Sequence, residues 1–272
     1  MPDIRCSVCF RGCLLKEGQT GFCRARRNEN GKNVCASYGR VTALAKDPIE
    51  KKPLARFFPG SYILSVGSYG CNLSCPFCQN WQISMADERT SGYEVLEPEA
   101  LSELALRDED NLGVAFTYNE PMISYEYILD TAKLIRPKGK KIVLVTNGCA
   151  SDAVLEQLAE VTDAMNIDLK GDREFYKELG GSYDMAKHTI ETMHQHCHVE
   201  VTSLIIPGKN DSEGWIRKEA EWLSSIDRTI PLHITRYFPR WHYDIPSTPR
   251  STVFALQKTA QEYLDYVYAG NV

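Results

Sequence analysis

A chain of 272 residues, 43% hydrophobic and 25% charged, is long enough for one α/β domain with a substantial core plus a small appendage, and this composition excludes a disordered chain. The formal net charge of −5 is uneven: residues 1–60 carry 12 Lys and Arg against 5 Asp and Glu, a net of +7, and residues 61–272 a net of −12. A basic N-terminal face can attract an acidic partner, yet metal-bound thiolates in the same segment would offset it, so nucleic acid is disfavoured as a partner.

The start, Met1-Pro2-Asp3-Ile4-Arg5-Cys6, has no apolar leader, and no run approaches the length of a membrane span. This predicts a cytoplasmic protein whose ten cysteines serve as metal ligands rather than disulfides. Residues 1–36 hold Cys6-x2-Cys9-x3-Cys13-x9-Cys23, with Gly12, Gly18 and Gly21 bending the backbone between them. Four cysteines so close, with few apolar neighbours, predict a small knob folded around a second metal, zinc or an additional [4Fe–4S] cluster. Cys35 lies just outside and can replace one of the four or simply be buried. Residues 37–60, rich in turn signals such as Asp47-Pro48 and Phe58-Pro59-Gly60, are expected to be a connecting segment.

Across residues 61–272 short apolar runs alternate with longer amphipathic ones, the βα pattern of a parallel sheet. Strands are predicted at 62–66, 113–117, 141–146, 164–169, 199–206 and 231–235, and helices at 98–107, 125–135, 152–161, 183–196, 214–226 and 252–266. Six such units make an incomplete barrel of the α/β class rather than a closed eight-unit one.

Directly after the first strand comes Gly70-Cys71-Asn72-Leu73-Ser74-Cys75-Pro76-Phe77-Cys78-Gln79-Asn80-Trp81. Three thiolates on one loop can hold three irons of a [4Fe–4S] cube, and the missing fourth leaves one iron open to another molecule. A zinc loop would instead want a distant fourth ligand to complete a tetrahedron. In such sheets ligands gather beyond the carboxyl ends of the strands. There the sequence places Tyr118-Asn119-Glu120-Pro121, Thr146-Asn147-Gly148, Asp168 with Lys170, Pro207-Gly208-Lys209-Asn210-Asp211, and His233 with Thr235 and Arg236. Each has a structural alternative: a turn for Asn147-Gly148, a charged pair for Asp168 and Lys170, a satisfied core histidine for His233.

The cysteine loop resembles that of the radical S-adenosylmethionine (SAM) superfamily. Cys6-x2-Cys9, Asp47-Pro48-Ile49-Glu50-Lys51-Lys52-Pro53, Phe58-Pro59-Gly60-Ser61, Cys78-Gln79-Asn80-Trp81, Thr117-Tyr118-Asn119-Glu120-Pro121, Asn166-Ile167-Asp168-Leu169-Lys170 and His233-Ile234-Thr235-Arg236 look like the AmmeMemoRadiSam-type radical enzymes, relatives of the pyruvate formate-lyase activating enzymes. The resemblance covers nearly the whole chain. It implies a partial (β/α)6 TIM-like radical SAM barrel in which Cys71, Cys75 and Cys78 hold a [4Fe–4S] cluster and SAM chelates the fourth iron. One electron then cleaves SAM, and a 5′-deoxyadenosyl radical removes hydrogen from the substrate.

Carried over position by position, Glu120 with Asn119 matches a glycine-glycine-glutamate motif that binds the methionine amino group, Tyr118-Asn119 replacing the two glycines. Thr146, Asn147, Asp168 and Lys170 match contacts to the ribose hydroxyls and the methionine carboxylate, His233 a residue close to the cofactor, and Phe77 the aromatic position near adenine. Arg236 and Tyr237, with Arg240, Trp241 and His242, are candidates for the substrate opening. A tail-borne metal site beyond Tyr266-Val267-Tyr268-Ala269-Gly270-Asn271 is not predicted.

The expected function is a radical enzyme acting on a small molecule or peptide, supplied with electrons by an external one-electron reductant such as flavodoxin or ferredoxin. A second expectation is activation of a glycyl radical on a partner protein. An alternative of another class is a non-catalytic, zinc-stabilised module that binds RNA or protein through its basic N-terminal region.

Overall fold

A computed structural model describes residues 2–272. Its centre is one eight-stranded sheet whose strands follow one another in chain order. We label them β1 (Ala43–Pro48), β2 (Tyr62–Gly67), β3 (Asn111–Phe116), β4 (Lys141–Thr146), β5 (Ala164–Asp168), β6 (His198–Ile205), β7 (Leu232–Arg236) and β8 (Val267–Gly270). From β2 to β8 every neighbouring pair is parallel, whereas β1 runs antiparallel to β2 in the register Ala43↔Gly67 to Pro48↔Tyr62.

The helices α1 (Pro98–Arg107), α2 (Tyr125–Ile135), α3 (Asp152–Ala159), α4 (Arg173–Glu178), α5 (Tyr183–Met193), α6 (Glu213–Ile226) and α7 (Arg250–Ala260) connect these strands. The βα alternation is thus the partial TIM-like barrel that the sequence predicts. Local chemistry sets the boundaries. Helix α6, for example, starts where the Ser212 hydroxyl accepts from the Trp215 amide, and it buries Ile216, Ala220 and Leu223 on one stripe.

Two apolar cores flank the sheet, beside a small third cluster of Cys23, Ala25 and Ile123. The outer one lies between sheet and helices and joins Phe116, Leu144, Ile167 and Val201 to Ile128, Leu155, Ile190 and Leu223. The inner one joins Ile63, Ala115, Val143 and Ala164 of four strands to Ile49, Leu54 and Phe57. Residues 49–57 therefore plug the inside of the open barrel. The segment expected to be a mere connector supplies both an edge strand, β1, and this plug, because its Pro and Gly turns fold three apolar side chains inward. Buried Lys52 pairs with Asp47 at 2.9 Å, and the Ala55 and Arg56 amides donate to Glu200 on β6 at 2.9 and 2.7 Å.

Within the central sheet two further strands, β1 and β8, and among the connecting helices α4 went unforeseen. The predicted helix at 252–266 ends at Ala260, and residues 267–270 then form β8; α4 precedes α5 as a short separate helix.

The N-terminal segment forms two small antiparallel pairs, Ile4–Arg5 with Leu14–Leu15 and Arg26–Glu29 with Lys32–Cys35. It is anchored by the Arg26 guanidinium, 1% exposed, which forks onto the two Glu126 oxygens of α2 at 2.6 and 2.5 Å and donates to the Ile123 carbonyl. Among the described residues no helix is long and apolar enough to cross a membrane.

Candidate active site

At the carboxyl ends of β2 to β6 lies a cleft of about 820 Å3 of atom-free space, counted out to its open mouth. Cys71, Cys75 and Cys78 line it together with Phe77, Asn119, Glu120, Thr146, Asn147, Asp168 and Lys170. Ten of the residues singled out in the sequence thus share one cavity. Burial holds the Cys71 thiol well above its ordinary pKa and pushes Cys75 up to about 11, so in the bare protein both favour the protonated form.

The loop carrying these thiols is fixed from several sides. Gly70 adopts φ +90°, and a Cβ there would lie 2.3 Å from the Cys23 carbonyl oxygen, so only glycine fits where the N-terminal segment crosses the loop. Asn119 donates to the Gly70 carbonyl at 3.1 Å and accepts from the Ser68 amide at 3.0 Å. Its side chain therefore holds the approach to Cys71. Asn147 donates to the Asn72 side chain at 2.8 Å and lies 3.6 Å from the Cys71 sulfur.

Glu120 is buried, and its carboxyl group receives three donors: the Met122 amide at 3.0 Å, the Thr146 hydroxyl at 2.7 Å and the Asn147 amide at 2.8 Å. Burial pushes its pKa up to about 6, the three donors opposing the rise. Two oxygens offer about four lone-pair directions. One acceptor position is left over for a ligand donor.

Across the cleft Lys170 pairs with Asp168 at 2.7 Å. Burial lowers the Lys170 pKa, but the charge and hydrogen bond of Asp168 oppose it, and the ammonium is held above its usual range. Phe77 packs against Phe175 and Tyr243, with ring centres 6.0 and 5.7 Å away.

Three expected residues are placed elsewhere. The His233 ring is directed to Glu200 at 2.6 Å and stacks on Tyr268, which joins it to the plug rather than to the cleft. Arg236 donates to the Thr248 carbonyl at 2.7 Å, and Tyr237 is fully buried with its hydroxyl on the Tyr243 carbonyl. Both organise the loop after β7. That loop docks on the cysteines instead: His242 donates to the Pro76 carbonyl at 2.9 Å, and Trp241 stacks on Trp81 with planes 4° apart.

The four N-terminal thiols lie outside the cleft, beneath the cysteine loop. Arg11 spans the gap, donating to the Asn72 carbonyl at 2.7 Å and the Gly180 carbonyl at 2.6 Å. Asn72 went unremarked in the sequence except as a member of the Gly70-Cys71-Asn72 string, and that string was the only signal available.

A family model for the Radical SAM superfamily matches residues 65–222. The chain belongs to the radical SAM superfamily. An uncharacterized protein of Methanocaldococcus jannaschii is 39% identical over 280 residues, covering 99% of this chain and 81% of that one. The pyruvate formate-lyase-activating enzyme of Clostridium pasteurianum is 26% identical over 176 residues, 62% of this chain and 72% of that one. The fold is shared with a radical SAM methyltransferase from Sphaerobacter thermophilus, at TM-score 0.57 and 14% identity over 78% of this chain and 67% of that one.

As a radical SAM enzyme the chain requires a [4Fe–4S] cluster and SAM. The donor set agrees. Cys71, Cys75 and Cys78, carried on one loop and lining one cleft, are a soft thiol donor set that suits three corners of a cube.

Proposed function

We propose that this radical SAM enzyme cleaves SAM reductively and uses the product to abstract hydrogen from a small molecule or peptide. When bound, the reduced cluster and SAM supply a 5′-deoxyadenosyl radical. The observation that carries this proposal is the convergence of Cys71, Cys75 and Cys78 with Glu120 and Lys170 on one cleft.

Within the proposal each side chain has a physical task. Cys71, Cys75 and Cys78 are the thiolate ligands, and binding iron overcomes the raised pKa values that burial imposes. Glu120 uses its remaining acceptor position for the methionine ammonium, and Thr146 with the Asn147 amide fixes its carboxylate plane. Lys170 faces the methionine carboxylate, and Asp168 serves the ribose hydroxyls. Phe77 offers an apolar wall to adenine, while Asn119 and Asn147 act by positioning the cysteine loop.

A low-potential carrier of the flavodoxin or ferredoxin type would supply the electron. The similarity to activating enzymes favours a second reading, hydrogen abstraction from a glycine of a partner protein. A partner would have to present an extended segment to the cleft mouth.

Anaerobic protein incubated with SAM and a reductant should form 5′-deoxyadenosine. Cys71→Ala, Cys75→Ala and Cys78→Ala together should abolish it. Reconstituted wild type that is iron-loaded and inert toward SAM overturns the proposal.

A further inference from the structure

We propose that Arg5, Leu14, Phe22 and Arg24 form the docking face for an acidic one-electron carrier protein, and that the electron enters the Cys71–Cys75–Cys78 loop from this side. The use made of the electron rests on the reaction proposed above; the docking face rests on the shape and charge of this surface.

The face is contiguous. Arg5 lies opposite Leu14 in the N-terminal hairpin, and its guanidinium donates to the Gly12 carbonyl at 2.8 Å. Arg11, the residue before Gly12, lays its guanidinium 3.3 Å over the Phe22 ring, and the Arg24 guanidinium is 5.6 Å from the same ring. Leu14 is 58% and Phe22 38% exposed, so two apolar side chains stand out among three cations. Aromatic and arginine side chains around an apolar centre are what a protein partner recognises.

The charge of the face is not neutralised from within. Among the described residues Arg5, Arg11 and Arg24 form no ion pair, and their side chains donate to carbonyl oxygens alone: Gly12 for Arg5, Asn72 and Gly180 for Arg11, Phe22 for Arg24. The neighbouring arginines are engaged by carboxylates, Arg26 by Glu126, Arg27 by Glu29 and Glu88, and Arg40 by Glu88. Residues 61–272 are net acidic, so the rest of the chain repels an acidic protein that this face attracts.

Location selects an electron carrier over other acidic partners. Phe22 is bonded to Cys23, whose carbonyl oxygen packs against Gly70, and Gly70 precedes Cys71. Arg11 reaches from the Phe22 ring to the carbonyl of Asn72, the residue after Cys71, at 2.7 Å. The exposed ring is thus joined to the cysteine loop by packed protein on both sides of Cys71. The step balances simply: an anionic flavin hydroquinone on the carrier becomes the neutral semiquinone, the cluster held by the three thiolates gains that one electron, and no bond or proton moves.

The test uses the full chain, reconstituted anaerobically, with an acidic flavodoxin as the probe. Arg5→Glu/Arg24→Glu should load iron as wild type does, because neither side chain lines the cleft. Stopped-flow reduction by flavodoxin hydroquinone at low salt should slow about tenfold or more in this variant, and by less in Arg5→Gln/Arg24→Gln, which serves alone if the charge reversal impairs folding. Reduction by the methyl viologen radical, a small cation that needs no docking face, should be unchanged. The difference between variant and wild type should close as salt rises to about 0.5 M. Isothermal titration with oxidised flavodoxin should rank the three proteins in the same order without any electron transfer. Equal flavodoxin rates at low salt, equal losses with both reductants, or a wild type that flavodoxin neither binds nor reduces would overturn the docking face; so would a single-stranded oligonucleotide that displaces flavodoxin from it. Flavodoxin binding and reduction that depend on Arg5 and Arg24, in a wild type that leaves SAM uncleaved, would uphold the face while overturning the reaction proposed above.

Discussion

The hydroxyl of Tyr118 donates to Asp47 at 2.7 Å, tying the strand-end loop of the cleft to the end of β1, where Asp47 also pairs with Lys52 of the plug. Tyr118 adopts φ +73°, a left-handed conformation that costs an L-residue about 1–2 kcal/mol. Its hydroxyl bond and its ring, 4.6 Å from the Lys52 ammonium, offset that cost. Glycine is therefore dispensable at this position.

Tyr118→Phe should lower unfolding free energy by about 1–2 kcal/mol, because it removes a hydrogen bond to a charged acceptor. Tyr118→Gly relieves the backbone but loses the hydroxyl and the ring, and should also be less stable than wild type. Urea titrations at constant m-value check both. An unshifted midpoint for Tyr118→Phe would show that the Asp47 contact does not stabilise the fold.

A pH effect on stability should come from Glu219 of α6. Burial pushes its pKa up to about 8, opposed only by the Ser203 hydroxyl at 2.5 Å. Its folded pKa lies above its unfolded value of about 4.5, so its contribution is fully present below pH ~4.5 and is lost as pH rises through about 8. Over that window the loss is at most about 5 kcal/mol. Glu219→Gln should flatten the slope between pH 6 and 8.5, measured by chemical denaturation; parallel slopes for the two proteins would exclude Glu219 as the source.

Glu120, Thr146, Asp168 and Lys170 were legible because polar residues ending an apolar run mark the rim of a parallel sheet. His233 follows the same pattern yet serves the plug. Its destination is set by Glu200, which the Ala55 and Arg56 amides draw toward the barrel interior, a contact between residues 145 apart in the chain. The plug itself was concealed because Ile49, Leu54 and Phe57 have no strand or helix period. Tyr237 and Arg236 show the same limit, since their loop partners Tyr243 and Thr248 are set by a fold within the loop.

The Asn147 amide, 3.6 Å from the Cys71 sulfur, should tune the cluster proposed there. A hydrogen bond to a ligating sulfur raises the reduction potential. Asn147→Ala should therefore lower it by roughly 40 mV, about 1 kcal/mol for one electron. Redox titration followed by EPR reads this directly. A potential unchanged in a variant that retains its iron would remove Asn147 from that role.

Lys170 supplies the last and most specific expectation. Its ammonium is half-buried at the cleft wall and already carries one carboxylate partner, Asp168, which leaves donors for a second. Lys170→Met should weaken SAM binding about 10- to 100-fold, the worth of one charge-assisted hydrogen bond. Cluster content should be unchanged, because Lys170 is not a ligand, and Lys170→Arg should restore part of the affinity by keeping the charge. Equilibrium dialysis with SAM on the iron-loaded variants measures this. Affinity equal to wild type in Lys170→Met would place the methionine carboxylate elsewhere in the cleft and leave the Asp168–Lys170 pair a structural one.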